Sequence, residues 1–259
     1  MTSLDYQRLI VAVALAAVRL GAAFAICPAL SDSMISGMAR RCAVLGFAAI
    51  CIPMVLAGMP PGSPYTLLLV PIAIKEVLIG TAIGFFASLP FWIAENIGNV
   101  IDNQRGATMG EVYSPLSGTQ VSTTGIFFTQ IVSTIFFVSG AVFLFLGAVY
   151  SSYQIWPVFG EFITPAHGVD KFILGTVDGM MRTTVVISAP IIIIMFLATL
   201  GLGFVNRTAP QLNVFFLSMP IKSALGIAML IIYLPFIIDK LMYTKESDIL
   251  IPVMRVFGS

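Results

Sequence analysis

Few side chains in this sequence could carry covalent or acid–base chemistry, and those few lie far apart. His167 is the single histidine and sits in the loop Pro-Ala-His-Gly, so a zinc site of the His-Glu-x-x-His kind cannot be assembled. No Gly-x-Ser-Gly element offers a serine nucleophile within a membrane, and no Gly-x-Gly-Asp offers an aspartyl one. The Gly-Lys pair of a phosphate-binding loop never occurs. The three cysteines, Cys27, Cys42 and Cys51, are odd in number, match no zinc spacing and lie in apolar surroundings, where a thiol behaves as a small hydrophobe. The residues therefore predict no enzyme, no metal and no cofactor. Four charges stand out for a different reason: Arg19, the adjacent Lys75 and Glu76, and Lys222 fall inside apolar runs. A charge at membrane depth costs a few kcal/mol or more unless it is paired or functional. A proton pathway would need carboxylates on several spans, and Glu76 is the one acid well inside a run. These charges are expected to pair between subunits or to lie shallow and snorkel.

The segments that carry them dominate the chain. Of 259 residues, 58% are hydrophobic and 10% charged, with a mean hydropathy of +1.01. Soluble domains carry about 25% charged residues, so a water-soluble globule is excluded, and so is disorder. A formal net charge of +1 gives no electrostatic reason to bind nucleic acid. Six segments have the length and apolarity of spans: 9–30, 42–57, 66–94, 126–149, 183–205 and 212–238. The first lacks a basic leader and contains Arg19, so it is expected to stay in the mature protein. Loop charges lean weakly towards cytoplasmic termini. Pro53, Pro71, Pro90, Pro190, Pro220 and Pro235 lie within the segments and predict kinks or breaks, whose freed backbone groups need protein or water as partners. The expected fold is all-α: one integral membrane domain over 1–259, of about six Pro-kinked helices arranged as hairpins.

Three local patterns suggest assembly. Gly80, Gly84 and Ser88 recur every four residues and give one small-residue helix face that another helix can approach closely. Residues 95–122 read ENIGNVIDNQRGATMGEVYSPLSGTQVS. Ile97, Val100 and Ile101 make one helical face, Glu95, Asn99, Asp102 and Asn103 are polar, and Asp102 and Arg105 are spaced to pair. Gly106 and Gly110 then permit sharp turns, and Ser114-Pro115 with Ser117-Gly118 punctuate a loop. An amphipathic helix running into a Gly/Ser/Thr loop suits a solvated connector or a re-entrant element in a pore. In 206–226, Asn206, Arg207, Gln211 and Asn213 surround the helix breaker Pro210. So many hydrogen-bonding groups suggest contact with another polypeptide or with water at a pore mouth.

The wording of the last two patterns, Ile-Asp-Asn-Gln-Arg-Gly-Ala-Thr with its Ser-Pro-x-Ser-Gly loop, and Arg-x-x-Pro-Gln-x-Asn-x-Phe followed by Pro-x-Lys-Ser, resembles the T subunit family of the type III secretion export apparatus. Its flagellar counterpart is the export protein R. The distinctive motifs span about 50 residues, and segment order and loop placement extend the likeness over most of the chain. The resemblance implies a structural subunit of the export gate, multi-pass in the bacterial inner membrane within the basal body. Its partners would be sibling R and S subunits, the U and V export proteins, and unfolded secreted proteins in transit. Kinked hairpins such as 183–238 would stack on siblings around a channel. The family's plug loop matches Gly106 to Ser122, within an amphipathic helix plus loop over 95–125. Asp102, Gln104 and Arg105 would anchor it; Gly106 and Gly110 would let it bend; Met109, Val112 and Tyr113 would seal the lumen, with Pro115 and Ser117 shaping the loop. Gly80, Gly84, Arg207, Pro210, Gln211, Asn213 and Lys222 would make subunit contacts. The competing reading is a self-sufficient small-solute or ion transporter, which expects paired half-helices with midplane polar sites; Pro71–Lys75 and Pro220–Lys222 echo that only faintly.

Overall fold

The computed structural model describes residues 3–31, 34–60, 69–106, 122–162, 167–208, 214–241 and 246–257. Among these, all regular structure is helical. Helix α1 (Ser3–Ile26) leads through a 3-10 turn at Pro28–Leu30 to α2 (Gly37–Ala57). Then come α3 (Leu69–Arg105), α4 (Thr123–Val138), α5 (Ala141–Ile155), α6 (Val169–Thr208), α7 (Val214–Leu241) and α8 (Glu246–Phe257). Five helices (α1, α2, α3, α6 and α7) are long and apolar enough to cross a bilayer, and α4 with α5 forms a bent pair equivalent to a sixth span. The fold is that of an all-α integral membrane protein.

Two sequence expectations change. Residues 126–149 read as one uninterrupted span, yet the chain bends by 73° between α4 and α5. The cause is Gly140, whose φ of 77° lies in the left-handed region that residues without a Cβ enter at no steric cost. By contrast Pro53, Pro90, Pro190, Pro220 and Pro235 all sit inside helices that continue past them. A proline removes one backbone donor, whereas a reversal of φ redirects the chain. The second change concerns the amphipathic stretch from residue 95. No breaker separates it from the preceding apolar run, and the two form the single 37-residue helix α3.

The chain packs as two compact units, one comprising 1–89, 136–174 and 244–259, the other 90–135 and 175–243. In the first, α3 lays one face against α1. A Cβ on Gly80 would lie 2.2 Å from the Arg19 carbonyl oxygen, and one on Gly84 would lie 2.7 Å from that of Ala23. The two backbones therefore touch. The helix that occupies this small-residue face is the chain's own α1, so the close approach foreseen between subunits is made within one. Farther along the same face, the Ser88 hydroxyl donates to the Gly84 carbonyl at 2.6 Å and reaches that of Ile26 at 3.2 Å. It thereby meets an orphan acceptor at the end of α1.

This approach brings together the buried charges. The Arg19 guanidinium pairs bidentately with Glu76, Nε to Oε2 at 2.6 Å and Nη2 to Oε1 at 2.8 Å, with both side chains fully buried. Arg19 also donates to the Ser152 hydroxyl at 3.0 Å and to the Trp156 carbonyl at 2.9 Å, and lies 4.0 Å over the Tyr153 ring. The Tyr153 hydroxyl donates to the Ala16 carbonyl at 2.9 Å. Lys75 Nζ donates to the carbonyls of Pro157 and Gly160 at 2.8 and 3.3 Å. Two cations thus meet one carboxylate and the carbonyl-rich end of α5, where the helix dipole and unpaired acceptors favour positive charge. The expected pairing across subunits is corrected for Arg19 and Glu76: α1 comes close enough at Gly80 for the pair to close inside the chain.

Breaking this pair strands a buried charge, which costs about 3–5 kcal/mol. Glu76→Ala is expected to lower the thermal unfolding midpoint of the detergent-solubilised protein sharply. The double change Arg19→Met/Glu76→Leu should recover much of the loss. A Glu76→Ala midpoint equal to that of the parent would refute the assignment. Gly84→Leu forces side-chain atoms into the Ala23 backbone, and overpacking of that kind costs about 1–3 kcal/mol. The same melt should show it, while Ser88→Ala should be milder.

Candidate functional site: one carboxylate joining two helix ends

Within the second unit, the end of α3 and the start of α4 meet at one carboxylate. Asp102 is in the last turn of α3, and although it belongs to the polar set of that helix it is buried. Its oxygens accept from the Ser122 hydroxyl at 2.7 Å, the Thr124 backbone N–H at 3.0 Å and the Thr124 hydroxyl at 2.5 Å. On the other side Arg105 Nη2 lies 2.9 Å from Asp102 Oδ1, one turn along the helix. Four donors around one carboxylate, one of them charged, make a strong hydrogen-bond set.

The local sequence explains why α4 begins there. The Ser122 hydroxyl accepts from the Gly125 N–H at 2.9 Å, the usual N-cap interaction. Asp102 adds a negative charge at the positive end of α4. The helices reach this distance through another glycine pair. A Cβ on Gly98 would lie 2.3 Å from the Gly125 nitrogen, and one on Gly125 would lie 3.0 Å from Asn99 Oδ1. Ile97 and Ile101 are buried beside them, while Glu95 and Asn103 face outward. Gly106, with φ of 80°, ends α3 in the left-handed conformation common after a helix.

The consequence is geometric. Residues 107–121 leave from Gly106 and return at Ser122, and residues flanking both ends bind the same carboxylate. The two described chain ends that flank residues 107–121 are therefore held together at Asp102. Of the expected loop residues, Gly106 is at this neck, whereas Met109, Gly110, Val112, Tyr113, Pro115 and Ser117 lie outside the described residues. Of the expected anchors, Asp102 and Arg105 are joined directly and Gln104 is half-buried on the adjacent turn. Arg207 is exposed in the last turn of α6, and Lys222 is half-buried on α7 two residues after Pro220. Pro210, Gln211 and Asn213 lie outside the described residues. Ser122, Thr124, Gly98 and Gly125 were not singled out from the sequence. A Ser-x-Thr start to an apolar run was the available signal for the first two.

Little else offers chemistry. Among the described residues no three His, Cys, Asp or Glu side chains group to hold a metal. Cys27 and Cys51 are buried and Cys42 is exposed, all as free thiols.

The sequence comparisons agree with one family. Residues 10–245 match the family described as Bacterial export proteins, family 1. The Yop proteins translocation protein T of Yersinia pestis is 38% identical over 217 residues, covering 83% of this chain and 82% of that protein. The secretion system apparatus protein SsaT of Salmonella typhimurium is 40% identical over 173 residues, 67% of this chain and 66% of the relative. The flagellar biosynthetic protein FliR of Bacillus subtilis is 34% identical over 164 residues, 62% of each. With its apolar helices and its match along nearly the whole length, the chain belongs to bacterial export protein family 1 as a multi-pass, non-enzymatic structural component of the type III export apparatus.

Proposed function

We propose that the protein is a subunit of the inner-membrane export gate. With sibling R and S subunits, and in contact with the U and V export proteins, it helps form the channel through which unfolded proteins leave, and its 106–122 loop helps to close that channel. The observation that carries this reading is the base of the loop. A segment that must block a channel, yet yield to a passing chain, needs fixed ends and a free middle. The Asp102 network supplies fixed ends: Arg105 and the Ser122–Thr124 cap are bound to one buried carboxylate. With the ends so held, a change within the 15 residues 107–121 need not cost either helix its terminus. The transporter reading needs unsatisfied polar groups lining a path through the chain. Arg19, Lys75 and Glu76 are instead engaged by fixed internal partners.

The test is a gate whose loop is changed while its stem is kept. Replacing 107–121 by a Gly/Ser segment of equal length is expected to leave co-purification with the sibling subunits intact. In reconstituted vesicles or resting cells the closed gate should then leak small solutes. Unchanged permeability in an assembled complex would remove the plug assignment. Asp102→Ala acts at the stem instead. It removes charge-assisted hydrogen bonds of about 1.5–3 kcal/mol each, and it should produce both a leak and a lower unfolding midpoint. Asp102→Asn, which keeps part of the hydrogen bonding, should fall between Asp102→Ala and the parent in both readouts.

A further inference from the structure

The acceptors that hold the two buried cations of the first unit come from a short run after α5. Trp156 offers its carbonyl to Arg19, and Pro157 and Gly160 offer theirs to Lys75. The run 156–160 is not helical. The Trp156 N–H closes α5 on the Ser152 carbonyl at 2.9 Å, and the Gly160 N–H donates to the Pro157 carbonyl at 3.0 Å. Turns with few backbone hydrogen bonds open readily unless something packs on them. Yet Lys75 is 2% exposed and Arg19 is fully buried, so the turn is held.

The element packed there is α8, the last helix of the chain. It has 12 residues, and isolated helices shorter than about 12–15 residues are marginal in water. Pro252 within it removes one more backbone donor. Its helicity therefore depends on docking. Ile249, Val253 and Phe257 recur every four residues on one face; the first two are buried, whereas Ile251 on another face is exposed. The helix packs on α5, and the Phe257 ring meets that of Trp156 nearly edge-on, centroids 5.8 Å apart. The Arg255 guanidinium lies 5.8 Å over the Phe172 ring, which in turn lies 6.0 Å from Phe86 of α3. Although α8 follows α7 of the second unit, it belongs to the first.

We propose that α8 is a detachable strap over the buried charges. Docked, it braces the 156–160 turn through Trp156 and keeps water from Lys75 and Arg19. Undocked, it lets the turn open, so that both cations lose fixed acceptors and become hydrated. The cations and α8 stabilise the same turn from opposite sides, and coupling of that kind is reciprocal. Loosening α8 frees Lys75, and removing the Lys75 ammonium loosens α8.

The experiment uses the full chain in lipid nanodiscs. Lysines are labelled with a water-soluble amine-reactive ester and read site by site by mass spectrometry, with the exposed Lys171 as internal reference. Hydrogen exchange is followed over 152–160 and 249–257. In the parent protein Lys75 is expected to be protected. Phe257→Ala removes an aromatic pair, so Lys75 labelling and exchange over 152–160 should both rise by roughly two- to tenfold. Val253→Asp puts a charge on the docked face and should raise both further, while Phe257→Tyr should match the parent. Lys75→Met should speed exchange over 249–257, a change that simple packing of α8 would not produce. Lys75 labelled as fast as Lys171 in the parent, or labelling unchanged in Phe257→Ala and Val253→Asp, would overturn the proposal. Parental exchange of α8 in Lys75→Met would overturn the coupling. If Val253→Asp fails to fold, Phe257→Ala, at the end of the helix, decides alone.

Discussion

The Arg19–Glu76 pair sets the conditions for the first unit. In hydrocarbon no water is available to satisfy polar groups, so each must find its partner inside the protein. A guanidinium with five donors is a demanding guest under that rule. The chain meets the demand with a carboxylate from α3, a hydroxyl and a carbonyl from the α5 region, and an aromatic face from Tyr153. These partners come from two helices besides the one that carries Arg19. Their positions are therefore fixed relative to one another with a precision that apolar packing between helices would not provide, since lipid tails compete equally well for apolar faces. Stability alone is a poor reason to bury such a pair; the arrangement makes better sense as a register pin for α1, α3 and α5.

The second unit uses the same device for another end. Asp102 is as buried as the first pair, and again a close glycine contact, Gly98 against Gly125, brings the helices into hydrogen-bonding range. There the pinned elements are the end of α3 and the start of α4, which flank residues 107–121. In each unit the sequence pays for a buried charge once and uses it to hold helices that backbone-to-backbone contact has already brought together. The order of cause is the same in both: small residues permit the approach, and the charge then makes only one register acceptable.

Much of this was legible before the structure, and the parts that were not share a reason. Apolar length gave the span-forming segments, and spacing gave the Asp102–Arg105 pair and the small-residue face of α3. The face was read one step short. Continuing its four-residue spacing backward from Gly80 reaches Glu76, so the acid and the glycines belong to a single stripe aimed at α1. The partner across that stripe could not be read, because a helix face does not say whether its neighbour lies in the same chain. The break at Gly140 was hidden for a different reason. Hydropathy registers only apolarity, and a glycine with positive φ is as apolar as the helix it ends. The interior prolines do not end their helices: Pro53, Pro90, Pro190, Pro220 and Pro235 lie within helices that continue past them.

What the chain leaves unsatisfied bears on where neighbours would sit. Helices α6 and α7 expose long apolar faces, with Ile193, Phe196, Leu197, Ile231, Ile232 and Phe236 among the exposed residues. That exposure does not by itself require protein, because lipid covers apolar side chains without cost. Lys222 is different. It is half-buried inside the apolar run of α7, and no carboxylate among the described residues pairs with it. Arg19 and Glu76 show how this sequence treats charge at depth when the partner is internal: each guanidinium nitrogen donates to a packed neighbour. Among the described residues no such acid meets Lys222, and on the proposed gate reading its partner would be an acid on another subunit. On the proposed gate reading, the contacts of α7 with siblings should therefore be sought around Lys222 and the exposed Arg207, which no carboxylate among the described residues pairs with, and not along the apolar faces, which lipid covers equally well.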